Sequence, residues 1–275
     1  MTKLSISKAW EETTLFIARD ARLLVPLALA LIALPAIVFG LAAPDVTNEV
    51  AARSPGLMVV IMAEFLIGAV GQLAIARLAL GHRERLGEAI RHGAARLPAL
   101  IGGFLVVGVP MGATLAIVAG SASVVTKGGA GAGNAAIALV LLVIMTALFV
   151  ATLIVLARCL LMLPLASVEA GGPIRLVRRS FAVSRGAVLR LLAAAVLFLV
   201  GGAVLLVAVR SVLGAVVIFG LGKPEAWTVS ALLIALVDGV VQALIGTVFT
   251  VFTARLYAQR SGEAGADTGL PSNAI

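Results

Sequence analysis

Six long apolar runs dominate the sequence, and each is long enough to cross a lipid bilayer as an α-helix. They cover about residues 23–43, 57–80, 97–120, 135–165, 187–209 and 227–257. A helix needs about 20 apolar residues to cross the hydrocarbon core. Hydrophobic residues make up 61% of the chain and charged residues 12%, whereas soluble domains are about half apolar and a quarter charged. The sequence therefore predicts an all-α, polytopic membrane protein with six transmembrane helices.

Three basic segments precede the first, third and fifth apolar runs. They lie at about residues 4–17, 81–96 and 173–184, and in each the apolar side chains recur at helical spacing with charged side chains opposite. This pattern is typical of an amphipathic helix that lies on a surface. Pro173 stands where a helix tolerates proline, at its first position. We therefore predict three cytoplasmic amphipathic helices in addition to the six spans.

A short motif recurs at the ends of the even-numbered spans. Ala76-Arg77-Leu78 and Ala254-Arg255-Leu256 resemble each other, and Ala157-Arg158-Cys159 is a near-copy. The same order of surface helix, span and span accompanies each motif, which indicates a three-fold internal repeat with units of about 4–80, 85–165 and 173–257. The prediction is one membrane domain over residues 1–260, followed by a small, polar, disordered cytoplasmic tail over 261–275.

Two acidic residues, Glu64 and Asp238, lie inside predicted spans. An acidic group at this depth is costly, so it is a functional-site hypothesis by default, and we expect both side chains to face the bundle interior. The candidate intramembrane polar site consists of Glu64, Gln72, Asp238 and Gln242.

The repeat supports the grouping of these polar residues. Glu64 precedes Arg77 by 13 residues, Gln242 precedes Arg255 by 13, and Thr146 lies at a similar place in the second unit. Two interpretations remain open for this depth of the bundle. One is a polar pocket or proton-linked site, and the other is interhelical hydrogen bonding without a further role.

The basic residues beside the spans are candidates for contact with anionic lipid headgroups. A cation at a helix C-terminus also interacts favourably with the helix dipole and sets topology, which is the alternative explanation for the three repeat arginines. The candidate headgroup contacts are Arg77, Arg158, Arg175, Arg178, Arg179, Arg185 and Arg255.

No catalytic or metal-binding constellation is visible in the sequence. The two histidines, His82 and His92, lie in one basic segment, where we expect both to be solvated, so no Ser-His-Asp set is credible. Metal sites need three or four suitably spaced ligands. We predict a non-enzymatic protein with no metal and no cofactor. The net charge of +8 reflects basic residues beside spans, not nucleic-acid binding.

The third basic segment carries a family resemblance. Gly171-Gly172-Pro173-Ile174-Arg175-Leu176-Val177-Arg178-Arg179-Ser180-Phe181, followed by Ser184-Arg185-Gly186, resembles a segment of the bacterial membrane-domain family of glycerophosphoryl diester phosphodiesterases. Ile6-Ser7-Lys8-Ala9-Trp10 and Ala254-Arg255-Leu256-Tyr257 fit the same pattern. The resemblance implies a six-span helical bundle of the stand-alone kind. It does not imply phosphodiesterase activity, because the catalytic domain has no counterpart in this sequence.

Two function classes compete at this point. The leading hypothesis is a non-enzymatic integral membrane protein of the bacterial cytoplasmic membrane that contacts anionic lipid through its basic surface helices. The alternative is a small transporter or channel that uses Glu64 and Asp238, and an intramembrane enzyme comes third. The position of the two acids discriminates between these hypotheses. Acids that meet in one water-accessible cavity favour transport, whereas isolated packing against Ser or Thr favours a structural role.

The distribution of charge predicts the topology. Seventeen of the 21 Lys and Arg residues lie on the side that holds both termini, which the positive-inside rule assigns to the cytoplasm. A cysteine introduced at Glu49 or Lys127 should therefore react with an impermeant thiol reagent only from the extracytoplasmic side. Reaction only from the cytoplasmic side would show that the topology is inverted.

Overall fold

The structure, a computed structural model, describes residues 5–43, 55–81, 85–127, 132–169 and 171–261. In this part of the chain every regular element is helical, and six of the helices are long and apolar enough to cross a membrane. The predicted all-α, six-span membrane architecture is confirmed at this level. The predicted tail lies outside the described residues apart from Ser261. The helices are α1 Ile6–Ala28, a π-helical turn Leu29–Ala33, α2 Leu34–Ala42, α3 Pro55–Ala79, α4 Leu86–Lys127, α5 Ala132–Cys159, α6 Met162–Val168, α7 Pro173–Val183, α8 Val188–Leu221 and α9 Val229–Ser261.

The three basic segments differ in how they join the spans. In α1 a non-helical Asp20 (φ −108°, ψ 18°) separates the first segment from the span that follows. The second segment runs without a break into the third span within α4, and the third segment forms the separate helix α7. The second segment is therefore not the separate helix that the sequence analysis expected. The amphipathic character of the segments and the three-fold repeat stay predictions.

A π-helical turn over Leu29–Ala33 interrupts the first span immediately before Pro35. The backbone N–H of Leu34 donates to the carbonyl of Leu29, five residues earlier. A proline inside a helix lacks an N–H and its ring crowds the preceding turn. The wider turn accommodates this proline, so the irregularity that Pro35 predicts takes the form of a π turn.

The fourth span ends differently from the sequence expectation, and the fifth span follows one of the two outcomes that the sequence left open for residues 211–222, which were an extension of the span or a segment in the membrane interface. The break after α5 falls at Leu160 and Leu161, and Pro164 lies in the first turn of α6, where proline is tolerated. The apolar stretch 211–222 forms no separate element up to Leu221, because it continues the fifth span in the 34-residue helix α8. Arg210 therefore lies inside a helix and does not mark the end of the fifth span.

The last helix, α9, is the centre of the bundle. It packs against α1, α2, α3, α6 and α8, so the second and sixth spans are neighbours. The fourth span, α5, packs mainly against the third and fifth spans, so the even-numbered spans do not surround one axis in the described part of the chain. Small buried residues recur at every fourth position of α9, where they let neighbouring backbones approach closely. They are Ala231, Ala235, Gly239, Ala243 and Thr247.

The packing of the bundle is uneven along the membrane normal. The half near the repeat arginines, here called the basic end, contains fully buried side chains such as Leu73, Ile75, Phe252 and Leu256. Two apolar clusters fill this half and join α1, α3, α6 and α9. The half at the opposite end is less densely packed, and it contains the polar cleft described below.

The contact between α2 and α9 predicts one stability effect. A Cβ atom on Gly239 would lie 2.7 Å from Ile37 Cγ1 and 2.9 Å from the carbonyl oxygen of Ala33. Gly239→Ala should therefore destabilise the protein by about 1–3 kcal/mol, the usual cost of overpacking. Gly68→Ala is the matched control, because a Cβ there meets nothing within 4 Å. Thermal unfolding in detergent measures both, and equal melting temperatures would refute the close contact.

Candidate functional site

A cleft of about 770 Å³ lies between α2, α3, α8 and α9. Its lining includes Ala43 at the end of α2 and Pro224 in the α8–α9 connection, so it opens at the end of the bundle opposite to the basic end. Helix α8 makes its main contacts with α9 and α5, not with α2 or α3. Among the described residues, the side of the cleft between α8 and the first two spans is therefore not closed by helix packing.

The charged and amide side chains of three helices meet in this cleft. Glu64 comes from α3, Arg210 from α8, and Asp238 and Gln242 from α9. Asp238 and Gln242 lie four residues apart, and this spacing places them on one face of a helix. Three of the four predicted site residues thus line one cavity. Arg210 also lines it and was not among the predicted residues.

Arg210 forms an ion pair with Asp238 across the cleft. Its Nε atom lies 3.7 Å from Asp238 Oδ2, and the side chains are 58% and 26% exposed. An arginine inside a long apolar helix was the available sequence signal. This signal was not recognised, because the fifth span was assumed to end at Arg210.

Glu64 lines the same cleft from α3 and is half-buried. Within the part of the chain that the structure describes, its carboxylate forms neither a hydrogen bond nor an ion pair. Glu64 therefore differs from Asp238, whose charge Arg210 balances.

Two expected polar residues lie elsewhere. Gln72 is half-buried in α3, two turns closer to the basic end than Glu64, and it does not line the cleft. Thr146 of the fourth span is exposed and donates to the carbonyl of Leu142 at 2.8 Å. The polar residues at the depth that the repeat predicts therefore come from the second and sixth spans, and the fifth span contributes Arg210.

Polar residues continue along α9 from the cleft towards the basic end. Thr247 and Thr250 are buried, and their hydroxyl oxygens have no hydrogen-bond partner among the described residues. Thr253 is also buried and donates to the carbonyl of Thr250 at 3.0 Å. Buried polar groups without partners are uncommon and require a physical explanation. Apolar packing closes this part of the bundle around them.

The three repeat arginines each contact a basic segment. Arg77 Nη1 lies 3.0 Å from His92 Nε2 and donates to the Ser167 carbonyl at 2.9 Å. The guanidinium of Arg158 lies over the Phe181 ring at 5.3 Å from its centroid, and that of Arg255 lies over Phe16 at 4.8 Å. Such cation–π contacts stabilise the pairing of two segments. The expectation that His92 is only solvated is wrong, and His82 lies outside the described residues.

The remaining candidate headgroup contacts lie on or just after α7. Arg175 and Arg178 are exposed. Arg179 Nε lies 3.1 Å from Glu169 Oε1, which also accepts a hydrogen bond from the Tyr257 hydroxyl at 3.2 Å. Arg185 is exposed, and its carbonyl accepts from Arg260. This helix is thus tied to the end of α9 while it presents two arginines outward.

No metal centre is apparent in the part of the chain that the structure describes. It holds no group of three or more His, Cys, Asp or Glu side chains that could bind a metal ion. The polar side chains of the described cleft lining are the Glu64 carboxylate, the Arg210–Asp238 ion pair, the Gln242 amide and the Ser211 hydroxyl.

Comparison with known proteins gives one match. Neither the curated proteins nor the solved structures include a match to this chain. Residues 14–260 match a family described as a domain of unknown function, DUF7847. The resemblance to the membrane domains of glycerophosphoryl diester phosphodiesterases stays a prediction, since nothing in the comparisons links the chain to them. Because this match covers most of the chain, the chain belongs to the DUF7847 family.

Proposed function

We propose that this protein is a small membrane carrier that binds a solute in the cleft between α2, α3, α8 and α9. The observation that carries the proposal is the meeting of Glu64, Arg210 and Asp238, from three helices, in one open cavity. Charged groups at this depth are costly and typically mark a solute or ion pathway. Isolated packing of each acid would instead have favoured a structural role, and the shared cavity supports transport over that alternative.

The uneven packing supports a carrier over a static receptor. The cleft is open at one end, whereas apolar side chains close the basic end below it. The buried hydroxyls of Thr247 and Thr250 continue the polar route through the closed half. Alternating access requires one open half and one closed half that exchange roles around a fixed site.

The irregular first span supplies a place where the bundle can move. The π turn over Leu29–Ala33 lies one turn from Ala36, which lines the cleft. π turns occur often at functional sites, and interrupted helices near the binding site are a common feature of carriers. We propose that α2 moves relative to α1 about this turn.

The topology and the repeat belong to the same proposal. The charge distribution supports cytoplasmic termini in a bacterial inner membrane, so that the cleft opens to the extracytoplasmic side. The contacts of Arg77, Arg158 and Arg255 with successive basic segments support a three-fold repeat. The contact of Arg255 with Phe16 joins the last unit to the first.

Cysteine reporters test the carrier proposal in a Cys159→Ala background. A Cβ at Gly214 meets nothing within 4 Å and points to open space at the cleft, so Gly214→Cys should react with an impermeant thiol reagent from the open end. Thr250→Cys should react more slowly from the basic end, because only a second conformation exposes it. The measurement is the labelling rate in oriented vesicles.

Gly201→Cys is the matched control for these reporters. A Cβ there is equally unobstructed but faces an apolar groove on the same helix, so it should stay unlabelled. An inert Gly214→Cys would show that water does not reach the cleft. If Thr250→Cys reacts from neither side, the cleft has no route to the basic end, and the carrier proposal is refuted.

A second function, contact with anionic lipid headgroups, is favoured by one feature of α7. Arg175 and Arg178 project outward from it beside Ile174, which is 64% exposed. An exposed apolar side chain between exposed arginines is typical of a helix in the membrane interface. This contact is compatible with transport, because it lies at the basic end and not in the cleft.

Charge removal on α7 tests the lipid contact. Arg175→Gln and Arg178→Gln should each weaken binding of phosphatidylglycerol by about 1 kcal/mol, the usual contribution of one basic residue near an anionic surface. Lys223→Gln, which removes an exposed charge at the opposite end, is the control. Lipid retained after purification from mixed vesicles gives the measurement. Equal retention of phosphatidylglycerol and phosphatidylcholine by the unmodified protein would exclude this function.

A further inference from the structure

The charges of the cleft do not balance. Arg210 neutralises Asp238 at a separation of 3.7 Å, which leaves Glu64 as the second acid of the lining without a counter-charge among the described residues. The lining of the empty cleft therefore carries one excess negative charge whenever Glu64 is ionised. In a setting of low dielectric constant, a charged occupant interacts strongly with such a group.

This excess negative charge determines which sign of charge is favoured in an occupant of the cleft. An anion in the cleft would face two carboxylates and one guanidinium, which together carry a net negative charge when Glu64 is ionised, and repulsion between like charges inside a protein is costly. A cation near Glu64 would instead replace the counter-charge that the protein does not supply. The amide of Gln242, which lines the same cleft, offers an additional oxygen acceptor.

The size and the walls of the cleft select against a bare metal ion. A bound Ca²⁺ or Mg²⁺ requires six or more closely arranged oxygen ligands. The cleft has a volume of about 770 Å³, within the range of pockets that hold drug-sized molecules. Phe39, Ile218 and Phe219 line it with apolar and aromatic surface. Aromatic faces also attract organic cations.

The lateral side of the cleft indicates the route of entry. Among the described residues, helix packing does not close the cleft between α8 and the first two spans, so we infer a lateral opening to the bilayer in addition to the open end. A molecule with an apolar body can reach the cleft from the bilayer and turn its charged group towards Glu64. A fully hydrated ion would not enter through this lateral opening, because the opening faces the bilayer.

We propose that the cleft takes an amphiphilic organic cation, with its apolar body against Phe39 and Phe219 and its charged group beside Glu64. This inference rests on the proposed carrier function and names the solute class for it. Glu64 is the charge partner of the solute, and Arg210 keeps Asp238 from competing for the same role.

Binding of two lipophilic ions of equal shape tests the inference. Tetraphenylphosphonium and tetraphenylborate differ in the sign of their charge, so the purified full chain in detergent should bind the phosphonium and not the borate. Glu64→Gln should weaken phosphonium binding by roughly tenfold or more, which corresponds to one ordinary charge contact. Glu88→Gln removes an exposed carboxylate at the basic end and should leave binding unchanged.

A second pair of variants separates the inference from the carrier proposal. Gly214→Leu fills the cleft and should abolish binding, whereas Gly201→Leu fills only the apolar groove and should not. If Gly214→Leu abolishes binding of both ions and Glu64→Gln has no effect, the cation inference is overturned while the cleft remains the binding site. If Gly214→Leu leaves phosphonium binding intact, the cleft is not the binding site and both proposals fail.

Discussion

The absence of water from the bilayer core is the constraint on which this structure depends. Every backbone N–H and C=O in that region must find a partner within the protein, and the helix provides one for each. Charged side chains must meet a partner or an aqueous cavity. The ion pair of Arg210 with Asp238, on neighbouring helices, follows this rule. Glu64, which has no ion-pair partner among the described residues, meets the second condition, because it lines the cleft.

The close contact of α2 with α9 shows how helices associate when lipid removes the hydrophobic driving force. A Cβ on Gly40 would lie 2.9 Å from Ala235 Cβ, and one on Gly239 would come equally close to the backbone of Ala33. Small residues permit this approach, and dispersion forces stabilise it. Helix α8 also packs on α9, and the cleft lies where α8 faces α2 and α3 instead.

The sequence predicted the spans well because each is a long apolar run, and hydropathy depends on composition alone. It placed Glu64 and Gln242 at one depth and Asp238 one turn away, since helical rise converts residue number into distance. Arg210 was missed because the boundary of the fifth span was drawn at the charge itself. The contact of Arg255 with Phe16 joins residues from opposite ends of the chain, and no local pattern reports such a pairing. Gln72 shares the second span with Glu64, but only the packing of its neighbours shows that it lies outside the cleft.

The π turn at Leu29–Ala33 has a geometric consequence for the wall of the cleft. A π turn holds one more residue than an α turn, and one residue corresponds to a rotation of about 100° around the helix axis. Relaxing it to α-helical hydrogen bonding would therefore turn the face that α2 presents to α9 by that angle and advance it by about 1.5 Å. Ala36 and Gly40 would leave the cleft, and their neighbours in sequence would replace them. The register of a single hydrogen bond, from Leu34 to Leu29, thus determines which side chains form this wall.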